Sequence, residues 1–334
     1  MKGNLPIIWN GGGAPPPEFR EFLGKGAAEV AQRYPVALSP YWLARCKSAD
    51  GAPFRLQAFP DARELDAPLP GDSGDPFAEL AGASPLPGVV RRFADRILVV
   101  VTDACAVRCR HCTRKNILGT HAIPAWRDYP KIADYIRANP AIREVLLSGG
   151  DPLALSQDAL ERRVDIFADL GQIYSVRIGT RIPCSDPARV SPALAKGLGR
   201  SRKVWVNTQF NHPAEVTPEA ARACALLIDA GIPVSCQTVL VKGLNDNADT
   251  LEALFRALQA IRVRPYYAFA GDPVTGTGHF RVTSAEAAAL EREVAGRVGG
   301  LALPRFVADI PGAGRKTPVV EAAALGSGRG ICRE

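Results

Sequence analysis

The sequence predicts an α/β fold, and three observations carry that expectation. From Arg96 onward, short β-branched runs alternate with helical, Ala- and Leu-rich runs, six times over. The strand-like runs are nearly continuous in apolar residues, as in ILVVV and VWVN, which suits strands buried on both faces of a parallel sheet. The chain has 334 residues, 47% hydrophobic and 22% charged, enough to close one large core or two modest ones. A barrel and an open doubly wound sheet both fit this alternation. In either, functional residues belong at the carboxyl ends of strands and in the loops that follow.

Taken in order, residues 1–90 stand apart. They are rich in Pro, Gly and Ala (GGGAPPPEF, DAPLPGDSGDPFAELAGASPLPG) and contain one good helical stretch, Glu18–Tyr34. They read as a mainly helical and extended N-terminal segment with a loop-rich connection near 65–90. Strands are expected at Ile97–Thr102, Glu144–Leu147, Ser175–Ile178, Lys203–Asn207, Val234–Val241 and Arg264–Phe269. Helices are expected between and after them, at 130–139, 156–170, 191–199, 217–230, 247–260 and 284–297. The helix at 217–230 opens on Thr217-Pro218-Glu219, a cap followed by a first-turn proline. Its apolar positions Ala221, Cys224 and Ile228 recur at helical spacing, and Gly231 ends it.

Composition excludes several classes. The apolar content is too high and the net charge of +7 too small for a disordered chain, and eight cysteines are too sparse for a disulfide scaffold. No apolar run reaches the roughly 18 to 20 residues of a membrane span. The opening MKGNLPIIWNGGGAPPPEF has no sustained apolar stretch before a cleavage site, so no signal peptide and a cytoplasmic, reducing setting are expected. The positive charge is spread without a basic run, and no aromatic-interleaved basic strip suggests direct contact with nucleic acid.

The sharpest chemical signal is Cys105-Ala-Val-Arg-Cys109-Arg-His-Cys112, directly after the first strand. Three cysteines in eight residues fit an iron–sulfur cluster with one open iron, a zinc site lacking an obvious fourth ligand, or merely grouped structural thiols. Cys46, Cys184, Cys224, Cys236 and Cys332 are scattered and read as small core residues or bystanders.

The CxxxCxxC spacing resembles the radical S-adenosylmethionine superfamily. Joined to CRHCTRKNILG are LLSGGDPLALS, RIGTRIP, VWVNTQFNHP, RVRPYYAFAGD and ADIPGAGRKTPVV, in that order. Together these runs resemble lysine 2,3-aminomutases and their elongation-factor-P-modifying relatives, over about residues 30–320.

The resemblance implies an incomplete parallel (β/α)6 TIM-like barrel over 91–300 and a C-terminal segment, 301–334, carrying a cofactor lysine. It implies a 4Fe-4S cluster on Cys105, Cys109 and Cys112, whose open iron holds S-adenosylmethionine. One electron, from a flavodoxin- or ferredoxin-type donor, then cleaves the sulfonium to a 5′-deoxyadenosyl radical. Ser148, Gly149, Gly150 and Asp151 match the loop that binds the methionine amino group, and Gln237 and His111 match positions beside S-adenosylmethionine. Pyridoxal phosphate is implied at Lys316, with Arg92 and Arg96 on its phosphate. Arg114 matches the arginine for the substrate α-carboxylate, and Asp272 and Asp309 match two acids for the distal ammonium of lysine. Two converging carboxylates repel unless a cation lies between them, which favours lysine over glutamate.

Departures from the pattern bear on assembly and cofactor binding. Members of the clostridial type carry a C-terminal extension whose cysteines hold a structural zinc with a cysteine of a neighbouring subunit. Asn247 stands at that partner position here, Cys332 alone cannot rebuild the site, and zinc-bridged oligomerisation is not expected. Gln209 stands in place of histidine, and Phe93 and Phe269 in place of tyrosine. The expected reaction is a 1,2-amino shift on a free amino acid, most simply L-lysine to β-lysine, with a possible place in the elongation factor P pathway. A lysine within a peptide bond has no free α-amine for the cofactor. The competing readings are an aminomutase for arginine or glutamate, a radical enzyme without pyridoxal phosphate, and a non-catalytic metal-stabilised binding protein.

Overall fold

The computed structural model describes residues 5–80 and 82–326. The N-terminal segment holds β1 (Ile7–Trp9), α1 (Ala27–Arg33), β2 (Val36–Leu38), α2 (Pro40–Lys47) and α3 (Ala52–Ala58). Next come β3 (Val89–Val90), β4 (Arg96–Thr102), α4 (Tyr129–Arg137), β5 (Glu144–Gly149), α5 (Gln157–Ala168), β6 (Ser175–Gly179), α6 (Ile182–Ser185) and α7 (Pro192–Gly199). The chain continues through β7 (Val204–Thr208), α8 (Pro218–Asp229), β8 (Val234–Val239), α9 (Ala248–Ala260), β9 (Arg264–Phe269) and α10 (Ser284–Ala295). It ends on β10 (Arg305–Ala308), β11 (Thr317–Pro318) and α11 (Val319–Gly326).

All six expected strands and six expected helices form, with ends moved by a residue or two. They build one nine-stranded sheet in the order β11-β10-β9-β8-β7-β6-β5-β4-β3. Strands β4 to β10 are parallel to their neighbours, and β3 and β11 pair antiparallel at the two edges. The order never reverses, which is how a barrel winds and not a doubly wound sheet with a switch point. Among the described residues no ladder joins β3 to β11, so the barrel is incomplete.

Three expectations need correction. The Glu18–Tyr34 helix divides into a 3-10 turn at Pro17–Phe22 and α1, because Gly24 and Gly26 intervene and Gly26 takes φ +78. A seventh parallel strand, β10, joins the sheet; its four residues are too few to signal a strand, and pairing with β9 sets their conformation. The strands are buried on both faces only in part, as at Val99–Thr102 of β4, Val206–Thr208 of β7 and Phe306–Ala308 of β10. Ile97, Val99, Val145, Leu147, Val176, Ile178 and Val234 are buried on one side. Arg96, Leu98, Glu144, Ser148, Arg177, Ser235 and Gln237 alternate with them and are only half-buried. The barrel's inner face thus mixes buried apolar positions such as Val100 and Val307 with half-buried polar ones.

Local chemistry explains the frame. Thr217 caps α8 by accepting from the Ala220 N–H at 3.2 Å, and Gly231 follows with φ +81. The buried stripe of α8 is Ala220, Ala223, Cys224 and Leu227, rotated by a residue from the expected one. The apolar core runs unbroken from Trp9 and Phe19 through Trp42 and Phe54 to the helices that cover the sheet.

One buried charge group ties the N-terminal segment to the loop after β4. Glu64 accepts from Arg110 Nε at 3.0 and 3.1 Å and from Arg110 Nη2 at 2.5 Å, and it also pairs with Lys115. Glu64 and Arg110 are 1% and 2% exposed, so water cannot replace a lost partner. Glu64→Ala leaves two buried cations facing each other and is expected to lower stability by about 3–5 kcal/mol. Equilibrium urea unfolding of the two proteins measures the difference; a change within about 0.5 kcal/mol, the range of an ordinary surface substitution, contradicts it.

Candidate active site

The cysteine loop leaves the carboxyl end of β4 and has no regular structure of its own. The N-terminal segment shapes it: the Arg108 N–H donates to the Ala37 carbonyl at 3.0 Å, the Arg110 N–H to the Gln57 carbonyl at 2.9 Å, and Val107 bridges Leu38. A turn brings the Cys112 N–H to the Cys109 carbonyl at 3.2 Å. Cys105, Cys109 and Cys112 are free and partly accessible, whereas Cys46, Cys184, Cys224 and Cys236 are buried, as expected of core residues. Cys332 lies outside the described residues.

The thiols are costly to ionise where they stand. Burial, then Asp151 and the other two thiols, pushes Cys105 well up; burial and Cys109 push Cys112 up to about 11. Thiolates there need a compensating metal. Among the described residues no group of three or more His, Cys, Asp or Glu side chains is arranged to hold a metal ion.

The Ser148-Gly149-Gly150-Asp151 loop lies flat on the start of the cysteine loop. The Gly150 N–H donates to the Thr102 carbonyl at 2.6 Å and the Asp151 N–H to the Ala104 carbonyl at 2.8 Å. Gly149 takes φ +111, and a Cβ at Gly150 would stand 2.4 Å from the Ala104 oxygen. The close backbone approach that these glycines permit is therefore to the protein itself. Asp151 is buried and accepts from the Leu153 N–H at 3.0 Å, Thr180 Oγ1 at 2.6 Å and the Arg181 N–H at 2.7 Å. It ties two loops together.

His111 meets the segment that follows β7. Gln209 and Asn211 present side-chain nitrogens to its Nε2 at 3.1 and 3.2 Å, which puts the ring proton on Nδ1, a buried atom without a partner. Gln209, one of the departures from the family pattern, thereby acts on His111. Gln237 is half-buried on the inner face of β8, at a bulge in its pairing with β9.

At the open end of the sheet the remaining residues converge. Arg92 grips Asp309 with both terminal nitrogens, at 2.9 and 3.1 Å, and Lys316 pairs with the same carboxylate. Lys316 Nζ lies 5.1 Å from the Phe269 ring centroid and 5.9 Å from that of Phe93. Arg96 stacks 3.7 Å over Phe93 while bonding Asp95. Asp272 accepts from Thr113 Oγ1 at 2.8 Å through Oδ2, and its Oδ1 is buried without a partner. Burial and then the Asp309 charge, against the Thr113 hydrogen bond, push the Asp272 carboxyl up to about 6. Burial raises Asp309 too, but Arg92 and Lys316 outweigh it and hold the carboxyl below its ordinary value. Burial lowers Lys316, partly offset by Asp309, which brings the amine nearer its neutral, nucleophilic form.

Arg114 is braced by a residue the sequence reading passes over. Glu79, from the Pro- and Gly-rich connection, accepts from Arg114 Nε at 2.7 Å and Nη2 at 3.0 Å, leaving Nη1 at 3.3 Å from Ser148 Oγ. Thr113, Asn211, Gln57, Glu215 and Arg181 also go unforeseen. Thr113, Arg181 and Asn211 lie within the runs CRHCTRKNILG, RIGTRIP and VWVNTQFNHP, whereas nothing in the sequence pointed to Gln57 or Glu215.

Residues 99–258 match the Radical SAM superfamily. The L-lysine 2,3-aminomutase of Clostridium subterminale is 40% identical over 299 residues, 89% of this chain and 71% of that protein. The glutamate 2,3-aminomutase of Clostridioides difficile is 34% identical over 296 residues, 87% of this chain and 69% of that protein. Among solved structures, Streptococcus suis SuiB bound to S-adenosylmethionine gives a TM-score of 0.49 at 13% identity, covering 65% of this chain and 47% of that one. The superfamily match and the identity to the aminomutases make this a radical S-adenosylmethionine protein. Within that class, the chain belongs to the lysine 2,3-aminomutase family.

Gly150→Ala forces the Ser148–Asp151 loop away from the cysteine loop by its contact with the Ala104 oxygen. The variant is expected to fold, at a cost of about 1–3 kcal/mol, and to take up less iron on anaerobic reconstitution. Iron and acid-labile sulfide analysis checks this, and full incorporation contradicts it.

Proposed function

We propose that the protein catalyses a radical 1,2-amino shift on a free amino acid with a cationic side chain, converting L-lysine to β-lysine. The observation that carries the substrate class is Asp272 Oδ1, a buried acceptor without a partner beside the Asp309–Lys316–Arg92 group. An ammonium satisfies it, whereas the side-chain carboxylate of a glutamate substrate would meet a second anion there. The 40% identity to the Clostridium subterminale L-lysine 2,3-aminomutase supports the same choice.

When bound, a 4Fe-4S cluster with S-adenosylmethionine supplies a carbon-centred radical, and pyridoxal phosphate supplies a conjugated system over which the migrating nitrogen's electrons spread. Cys105, Cys109 and Cys112 would hold the cluster. The partnerless Nδ1–H of His111, with Gln237 and the Ser148–Gly150 loop, would meet the sulfonium cofactor. Lys316, its amine lowered by burial, would attach the pyridoxal carbonyl. Arg92 spends two N–H groups on Asp309 and keeps three, so it and Arg96 would share the phosphate. Arg114, its plane fixed by Glu79, would offer Nη1 to the α-carboxylate. Asp272 would anchor the distal ammonium, Asp309 being already engaged by two cations. A flavodoxin- or ferredoxin-type protein would deliver the electron in the cytoplasm, and β-lysine could serve elongation factor P modification.

The deciding experiment is an anaerobic assay of the reconstituted enzyme with lysine, arginine and glutamate, scoring β-isomers by mass spectrometry. Lysine is expected to be the best substrate; turnover of glutamate alone overturns the reading. Asp272→Asn is expected to lower kcat/KM for lysine by about 30-fold, the equivalent of about 2 kcal/mol for one partner of a buried charge pair. The pH profile supplies a further check. As pH falls through about 6, Asp272 gains a proton and loses the charge that binds the ammonium. Activity limited by lysine binding is therefore retained above that value and lost below it. The groups facing Asp272 are Thr113, Asp309, Lys316 and Arg92, and Asp272→Asn is expected to abolish this acidic limb.

A further inference from the structure

Arg181 follows β6 in the run Gly179-Thr-Arg181-Ile-Pro183, and the reading above gives it no task. It is 7% exposed. Its Nη1 donates to Cys109 Sγ at 2.7 Å and its Nη2 to Gln57 Oε1 at 2.5 Å; the same Nη2 lies 3.3 and 3.4 Å from the Glu215 oxygens. Its guanidinium carbon is 4.7 Å from the Trp42 ring centroid. Its own N–H is held by Asp151, so main chain and side chain are both fixed. Glu215 does not depend on Arg181 for its hydrogen bonds, because Gln57 Nε2 at 2.6 Å and the Asn211 N–H at 3.2 Å also serve it.

A guanidinium cannot shed its proton, and burying one is costly unless anions face it. Besides Gln57 Oε1 and the Trp42 ring, two groups able to carry negative charge face this one, and the sulfur of Cys109 is nearer than the carboxylate of Glu215. Such a cation is an electrostatic element of whatever Cys109 holds.

Resting on the reading that Cys105, Cys109 and Cys112 ligate an iron–sulfur cluster, we propose that Arg181 is a positioning residue. It fixes the Cys109 sulfur and raises the cluster's reduction potential, with Glu215 as the opposing charge. Reduction adds one electron from an external one-electron donor, with no bond made or broken and no proton taken up. The reduced cluster therefore carries one more negative charge than the oxidised one. A cation fixed against a ligand sulfur favours that form, and a carboxylate behind it opposes. Both charges are shielded from water, so salt screens neither strongly.

The test uses the full-length protein and its R181Q, R181K and E215Q variants, each reconstituted anaerobically and analysed for iron and sulfide. A potentiometric titration with dithionite and mediators, read by electron paramagnetic resonance, then gives each midpoint. R181Q is expected to shift the reduction equilibrium at least tenfold toward the oxidised cluster, about 59 mV more negative for a one-electron couple. R181K is expected to stay near the parent, and E215Q to shift the opposite way. Equal midpoints in variants with full iron and sulfide overturn the proposal. If R181Q loses its cluster, E215Q decides: a less negative midpoint supports the proposal and an unmoved one overturns it. A parent protein that takes up no iron and sulfide would sink the cluster reading instead, a result separable from an unchanged potential.

Discussion

Buried charge compensation governs this molecule. The loop that carries the three cysteines is neither helix nor strand, so no backbone ladder gives it shape. Its form comes from outside, through the Glu64 carboxylate that binds both Arg110 and Lys115 out of reach of water. Arg110 lies inside the cysteine motif and Glu64 belongs to the N-terminal segment. The same ion group therefore fastens the segment to the barrel and sets the positions of the cysteines. A looser, solvated pair could not do this, because water would replace either partner at little cost.

The rule repeats through the inner face. Arg114 is paired with Glu79, Arg92 and Lys316 with Asp309, and Arg181 with Glu215 and the Cys109 sulfur. Each pair leaves defined donors over, in fixed directions. Asp272 is the exception, with one oxygen bonded to Thr113 and the other to nothing. A buried carboxylate oxygen without a partner is a place where a cationic ligand gains, since it arrives to an unmet demand.

The substituted aromatics fit the same economy of charge. Phe93 and Phe269 carry no hydroxyl, and their rings are flanked by Arg92, Arg96 and Lys316. An apolar ring beside three cations gives a cation–π face and excludes water, and it adds no donor of its own. Gln209, the third departure, delivers its side chain to His111. Together with Asn211, it faces the His111 Nε2 with an amide nitrogen.

Much of this was legible in the chain and much was not. The alternation of strands and helices, the Thr217 cap, the end at Gly231 and the spacing of the cysteines are local patterns, readable because a few neighbouring residues decide them. The splitting of the first helix at Gly24 and Gly26 was local too, although the apolar spacing around it masked the break. The strand at Arg305–Ala308 exists only because β9 is there to pair with it. The charge pairs are further still from sequence patterns. Arg114 and Glu79 are 35 residues apart, Arg181 and Cys109 72, and Arg92 and Asp309 217. No periodicity spans such distances. The order of residues alone therefore settled which chemistry was on hand and which elements would carry it. The closing of the sheet decided which carboxylate meets which cation, and which one is left without a partner, because burial makes unpaired charge expensive only once the chain has folded around it.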